Sequence, residues 1–300
     1  MYPPVAIIGA GRVGTAIGAL LHRRGHPIRG VVRRTHEKAE EAVRLIGAGT
    51  PTTDPVEGAR GAEIILITVP DGAIHDMAAV LGAGLDFGPA HLLIHTSGAL
   101  PADALRAPGT ERALLLSLHP IQTIAHPGSA EQLAGSAFGL EGEPEAIARG
   151  RELVAAMGGV ALVIKPGQKA LYHAASCVAS NYLVALVEAS LELFELAGIP
   201  KREALKAVGG LLQGTIDNLE RLGIPGALTG PIERGDVETI RRHLKALGRI
   251  GEEKVRGRLK ALYRTLGLET LHVAAQKPGG LTERHRAIRD LLMGLQVEKE

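Results

Sequence analysis

Gly9-Ala10-Gly11-Arg12-Val13-Gly14 is the segment that most narrows what this chain can fold into. It follows the apolar run Val5-Ala6-Ile7-Ile8 and opens the amphipathic stretch Thr15 to Arg24. The order reads as strand, glycine turn and helix. Gly9 permits a tight turn, Gly11 leaves no side chain where a pyrophosphate must approach the backbone, and Gly14 lets the helix pack on the strand. The helix N-terminus then offers unpaired N–H groups and a positive dipole end to an anion. The expected dinucleotide wall comprises Gly9, Gly11, Arg12, Val13 and Gly14, joined by the later strand-end residues Val69, Pro70 and Thr96.

The next strand, Ile28 to Val32, ends at Arg33-Arg34-Thr35. An NAD-binding unit usually places an acid there, about 20 residues after the glycines, to hold the ribose 2′-hydroxyl. This chain has two arginines and no acid before Glu37. A guanidinium holds a 2′-phosphate that a carboxylate would repel. The expected cofactor is therefore NADP(H), gripped by Arg33 and Arg34; the plain alternative is a pair of solvated surface arginines.

Three hundred residues suggest two domains. Hydrophobic residues make up 45% of the chain but aromatics only 2%, so the core must be aliphatic. A net charge of +2 gives no electrostatic case for nucleic-acid or membrane-surface binding. The single Cys177 excludes an internal disulfide and a cysteine-rich zinc site, and no metal is expected. Met1-Tyr2-Pro3-Pro4 leads straight into a strand without a signal peptide, so a soluble cytoplasmic protein is expected. The apolar stretch from 170 to 199 is interrupted by Asn181, Glu188, Glu192 and Glu195 and does not read as a membrane span.

Strands and helices alternate through the first half. Further helices are expected over His36–Ile46, Gly72–Leu81 and 144–156, and strands over Glu63–Thr68, His91–His95, Ala113–Leu118, Ser136–Leu140 and Val160–Ile164. Continuous apolar strands between helices predict a doubly wound, mostly parallel α/β sheet. After Lys165-Pro166-Gly167 the pattern turns helical. One long helix is expected over 168–197, stopped by Gly198 and Pro200, then helices over Lys201–Leu222, Asp236–Leu247 and Glu252–Leu266. The boundary is placed at 165, giving a nucleotide-binding domain 1–165 and a helical substrate and dimerisation domain 166–300. The charged tail after Gln296 is expected to fray. The helices of the second half are apolar on more than one side, which predicts homodimerisation.

Ligands of a doubly wound sheet sit beyond the carboxyl ends of its strands. Ser97, His119 and Gln122 fall in such loops, as does Asp71. Asp71 reads foremost as a helix N-cap, and Ser97 as either a turn residue or a carboxylate ligand. His95, inside a strand, reads as a satisfied core histidine. On the long helix, Lys169, His173, Ser176 and Ser180 share one face, Lys169 and His173 about 6 Å apart along the axis. A lysine and a histidine so placed can polarise a carbonyl and supply a proton, so both are expected catalytic residues, with a solvated lysine and a packed histidine as the plain alternatives. Asn181 lies about 18 Å along the axis from Lys169 and suits a second substrate contact or a dimer contact. In Gly230-Pro231-Ile232-Glu233-Arg234-Gly235-Asp236, Asp236 caps a helix and Arg234 is free to clamp a substrate acid.

With these motifs in hand, the chain resembles a known family. GAGRVG, TVPD at 68–71, HTSGAL at 95–100, LHPIQT at 118–123, KALYHAASCVASNYLVAL at 169–186 and GPIERGDVETIRRHL at 230–244 are similar to a family that joins a Rossmann-like domain to a helical domain of unknown function. That family is related to pyrroline-5-carboxylate reductases, prephenate dehydrogenases and the 6-phosphogluconate dehydrogenase group, and some members are thought to be ketopantoate reductases. The resemblance implies an NADP-linked dehydrogenase with a dimerising helical domain. His119-Pro120 is similar to the substrate loop of prephenate dehydrogenases. Lys169 with a polar residue four positions on is similar to the Lys and Asn pair of ketopantoate reductases, with His173 in place of Asn. The expected reaction is NADPH-dependent reduction of a small 2-oxo acid, ketopantoate first. Reduction of a cyclic imine and non-catalytic NADP(H) sensing are the alternatives.

Overall fold

The computed structural model describes residues 2–124, 126 and 130–295. The tail from Gln296 onward lies outside them. The first compact unit spans Met1–Asn181 and the second Tyr182–Glu300.

The first unit is built on strands β1 (Val5–Ile8), β2 (Ile28–Val32), β3 (Thr50–Thr52), β4 (Ile64–Ile67), β5 (Leu92–His95), β6 (Leu114–Pro120), β7 (Ala137–Gly142) and β8 (Val160–Val163). Helices α1 (Arg12–Arg23), α2 (His36–Ile46), α3 (Pro55–Ala59), α4 (Ile74–Gly84), α5 (Ala130–Leu133), α6 (Pro144–Ala156) and α7 (Lys169–Ala179) lie between or after them. The strands form one sheet in the order β3-β2-β1-β4-β5-β6-β7-β8. All pairings are parallel except β6 with β7. Alternation along β1 shows how the apolar runs are used: Val5 and Ile7 enter a core on one face of the sheet, Ala6 and Ile8 a core on the other. Both faces are covered, so the strands read as continuous apolar runs. The crossover between β1 and β4 opens a crevice at their carboxyl ends, where ligands of such sheets bind.

Several local expectations change. Strand β3 was not expected: it is three residues long, carries Pro51 and sits at the sheet edge, where a missing N–H is tolerated. The single long helix over 168–197 is two helices, α7 and α8 (Asn181–Leu196), interrupted at Ser180 (φ −117°, ψ −69°). Ser and Asn compete for backbone hydrogen bonds and favour helix starts, so Ser180-Asn181 is a natural joint. The units divide after Asn181 and not at 165, because α7 packs on the sheet through Lys169, Tyr172 and His173. Taken through the joint, Lys169–Leu196 is a run of 28 residues that is long and apolar enough, by length and composition alone, to cross a membrane, although the sequence did not read as a span.

The second unit contains the rest of α8 with α9 (Lys201–Gly226), α10 (Val237–Leu247), α11 (Glu253–Ala274) and α12 (Glu283–Met293). Helical geometry in α9 lapses at Gly223 (φ 64°), one residue past the expected stop. Helix α12 was not expected, because its charged sequence hides the Ile288 and Leu292 seam that packs beside Ile240 and Leu271. The buried clusters of this unit are small, and Val184, Leu211 and Ile224 are each at least two-thirds exposed.

Candidate active site

The glycine turn delivers what its spacing promised. Gly9 adopts φ +85°, open to glycine at no steric cost, and a Cβ on Gly14 would lie 2.2 Å from Thr68 Oγ1. Helix α1 has no side-chain cap at its N-terminus, so its first N–H groups are free to meet an anion. A cavity of about 590 Å³ lies over this turn. Its wall includes Gly9, Gly11, Arg12, Val13, Val69, Pro70 and Thr96, as expected, and Gly14 serves packing beneath. Arg33, Arg34 and Lys38 also line it. Arg33 is half-buried and donates to the Ala10 carbonyl, bracing the turn, whereas Arg34 is exposed. The first turn of α2 adds Lys38, whose role the sequence reading missed. A bare helix end, a glycine turn and four cations, Arg12, Arg33, Arg34 and Lys38, fit a dinucleotide with an added phosphate.

The cavity continues along Arg12, Val13, Asp71, Thr96 and Ser97 into a second of about 290 Å³, and through His119, Pro120, Gln122 and His173 into a third of about 330 Å³. His173, Ser176 and Cys177 of α7, with Ser180 and Asn181 at the joint, supply one side of the third. Thus His119, Gln122, His173 and Asn181 are brought together, with Ser97 on the shared wall.

The roles of several residues differ from expectation. Asp71 caps no helix: its carboxylate accepts from the Ser97 hydroxyl at 2.7 Å, and Pro70 precedes the short 3-10 turn. The Ser97 oxygen also accepts from the N–H groups of Ala99 and Leu100, so Ser97 is committed to its turn and has no proton left for a substrate. Gln122 is likewise occupied: its amide donates to the Gln132 carbonyl and accepts from the Thr123 N–H. The Lys169 amine is shut inside, 5.1 Å from the Tyr172 ring centroid, and outside the walls of all three cavities. Burial pushes its pKa down to about 8, against the pull of Glu141 and Asp71. The amine therefore touches no cavity wall, and only its charge reaches His119. His95 is the satisfied core histidine expected: it accepts from the Ser97 N–H at Nδ1 and reaches the Pro101 carbonyl at Nε2, and burial pushes its pKa down to about 4.

Two imidazoles face the cavities. His119, on β6, is pushed down to about 4 by burial and then by nearby Lys169. His173 leaves Nδ1 buried without a hydrogen-bond partner, and its Nε2 lies 3.7 Å from Cys177 Sγ. Both rings crowd Gly98: a Cβ there would lie 2.4 Å from His173 Nδ1 and 2.9 Å from His119 Nε2. Gly98 and Tyr172, which touches His119, escaped the sequence reading because nothing local marks them. Arg234 belongs to the second unit, where it is exposed without a polar partner among the described residues. The loop that carries it is held by Lys277, which donates to the Leu228 carbonyl and to Glu233.

The chain matches the Rossmann-like domain over residues 3–120 and the domain of unknown function DUF2520 over 136–270. Among solved structures, the chain is similar to protein TM1727 from Thermotoga maritima, at 25% identity and a TM-score of 0.69, covering 90% of this chain and 98% of that one. BF3122 from Bacteroides fragilis, a candidate NADP oxidoreductase, is 21% identical with a TM-score of 0.69, over 89% and 98% of the two chains. A pyrroline-5-carboxylate reductase from Coxiella burnetii shares the fold at 18% identity and a TM-score of 0.59, over 96% and 98%. The curated relatives it matches include the glycerol-3-phosphate dehydrogenase [NAD(P)+] of Thermus thermophilus, 31% identical over 141 residues. That match covers 43% of this chain and 42% of that protein's length.

Proposed function

We propose that this DUF2520 protein is an NADP(H)-dependent oxidoreductase that reduces a small 2-oxo acid, with ketopantoate the first candidate. The observation that carries the reading is continuity: the wall over the glycine turn, with its four cations, runs without a break into the cavities bearing His119 and His173. Gly9, Gly11 and the start of α1 hold the pyrophosphate, and Arg34 and Lys38 hold the 2′-phosphate. When bound, the cofactor supplies the hydride. His119 and His173 hold the carbonyl oxygen and manage its proton, and Lys169 biases both from behind. Arg12, on the wall shared by two cavities, is the cation available to a substrate carboxylate.

Asp71, an anion on that same wall, favours a second reading, reduction of a cyclic iminium. Steady-state NADPH oxidation across 2-oxo acids, including ketopantoate, and cyclic imines tests both. Turnover of a 2-oxo acid supports the first reading, and turnover of imines alone the second. NADPH binding without turnover of either class would leave a cofactor-sensing regulator.

The nucleotide-binding role falls to the first unit and the dimer contacts to the helices of the second. Homodimerisation is supported by the exposure of Val184, Leu211 and Ile224. A lone cysteine suits a reducing cytoplasm.

A further inference from the structure

Tyr172 takes no part in the nucleotide wall, yet its phenol has a built position. Its ring meets His119 edge-on, with centroids 5.6 Å apart and planes at 90°, and its oxygen lies 2.7 Å from His119 Nδ1. Room for that oxygen comes from Gly139, the register partner of His119 on β7: a Cβ on Gly139 would lie 2.3 Å from it. Among the described residues, His119 Nδ1 is the one hydrogen-bond partner of the phenol oxygen. Burial pushes the phenol up to about 12, so it keeps its proton at every ordinary pH. Still protonated, the phenol has an O–H to give to Nδ1. A neutral imidazole that accepts at Nδ1 carries its proton at Nε2. His119 Nε2 has no hydrogen-bond partner among the described residues, is not closed off from the cavity, and points to the space above Gly98.

We infer that Tyr172 is a positioning residue that holds His119 as a neutral Nε2–H donor. The seat above Gly98 therefore takes an oxygen acceptor, the carbonyl of a ketone or 2-oxo acid, and rejects an iminium N–H. This rests on the reading above, that the substrate enters these cavities. An iminium nitrogen has no lone pair to offer a donor, whereas a carbonyl oxygen has two. Groups facing His119 are Lys169 and His173 on α7, His95 on β5 and Asp71 after β4. Asp71 alone favours an imidazolium; burial and Lys169 outweigh it. His119 thus stays neutral from pH 5 to 8, and a neutral imidazole held beside a carbonyl is an effective polarising donor.

Two-bond ¹⁵N–¹H correlation spectra of the histidine rings test this, with His119→Asn assigning the signals. In the wild-type protein with NADPH bound, His119 is expected as the neutral Nε2–H form from pH 5 to 8. In Tyr172→Phe it becomes a mixture of tautomers, and its titration midpoint rises, because a hydrogen bond that favoured the neutral form is gone. A dominant Nδ1–H tautomer, an imidazolium at pH 6, or a Tyr172→Phe spectrum matching wild type would overturn the inference. For the seat, NADPH oxidation with 2-oxo acids and pyrroline-5-carboxylate is compared. A rate on carbonyls at least tenfold above the imine supports it, and a smaller or reversed preference refutes it. Failure of NADPH to bind would instead sink the functional reading, while the ring spectra would still decide the tautomer.

Discussion

Replacing Arg34 with Ser isolates the contribution of the 2′-phosphate, because Arg33 and Arg34 have different local duties. Arg33 donates to the Ala10 carbonyl and lies beside Gly11, its guanidinium 3.6 Å from where a Cβ on that residue would stand. Loss of Arg33 therefore disturbs the turn that any nicotinamide dinucleotide uses. Arg34 is exposed and makes no hydrogen bond or ion pair among the described residues, so its removal leaves the turn intact. A charge-assisted hydrogen bond contributes roughly 1.5–3 kcal/mol. Exposure to solvent puts Arg34 at the lower end, and Lys38 retains part of the field. The expected cost is about 1.5 kcal/mol, a rise of roughly tenfold in the Kd for NADPH. NADH lacks the phosphate, so its Kd should change by less than about twofold. Arg33→Ser should weaken both. Isothermal titration with each nucleotide at fixed ionic strength reads these numbers. Equal weakening of NADPH and NADH by Arg34→Ser would refute the assignment of that side chain to the phosphate.

Other outcomes follow from the same geometry. Gly98→Ala should reduce kcat/KM at least a hundredfold on any accepted substrate while the Kd for NADPH holds, since the added methyl fills the space between the imidazoles and not the wall over the glycine turn. Lys169 has a folded pKa of about 8 against 10.5 unfolded, so the unfolded chain binds more protons between these values and stability rises with pH across that window. In urea titrations from pH 7 to 10.5, Lys169→Met should flatten that rise. His95 and His119, pushed down to about 4 from 6.5, should make the protein lose stability as pH falls from 6.5 towards 4, with unfolding midpoints dropping over that interval. Sedimentation at micromolar concentration should show a dimer that Leu211→Glu converts to monomer; a wild-type monomer would remove the dimer proposal.

The sequence made the nucleotide half legible because its constraints are local. Gly9, Gly11 and Gly14 are tied to a turn within six residues, and the alternation of Val5 to Ile8 follows from a strand covered on both faces. The substrate half depends on contacts distant in sequence. His119 meets Tyr172 across 53 positions, and Ser97 meets Asp71 across 26. Helical periodicity placed Lys169 and His173 on one face correctly, but could not show that the amine turns inward while the imidazole meets the cavity. Ser97 looked like a ligand for the same reason that it is not one: a short hydroxyl after a strand binds its own turn first. No Gly or Pro announces the joint at Ser180, so the long apolar stretch read as one helix.

The reversal of β7 against β6 gives α7 its scale. Glu141 stands opposite Ser117 and Gly139 opposite His119, two rungs of an antiparallel ladder. Lys169 feels the lower rung through Glu141, and Tyr172, one turn on, meets the upper at Gly139. His173 then reaches Gly98, and Ser176 and Ser180 follow into open space. The helix works like a ruler laid along the strands, with each graduation matched to a backbone position. Adding one residue between Lys169 and Tyr172 would swing every later graduation by about 100°, turning the phenol, the second imidazole and the serines off their marks together while the glycine turn stayed whole.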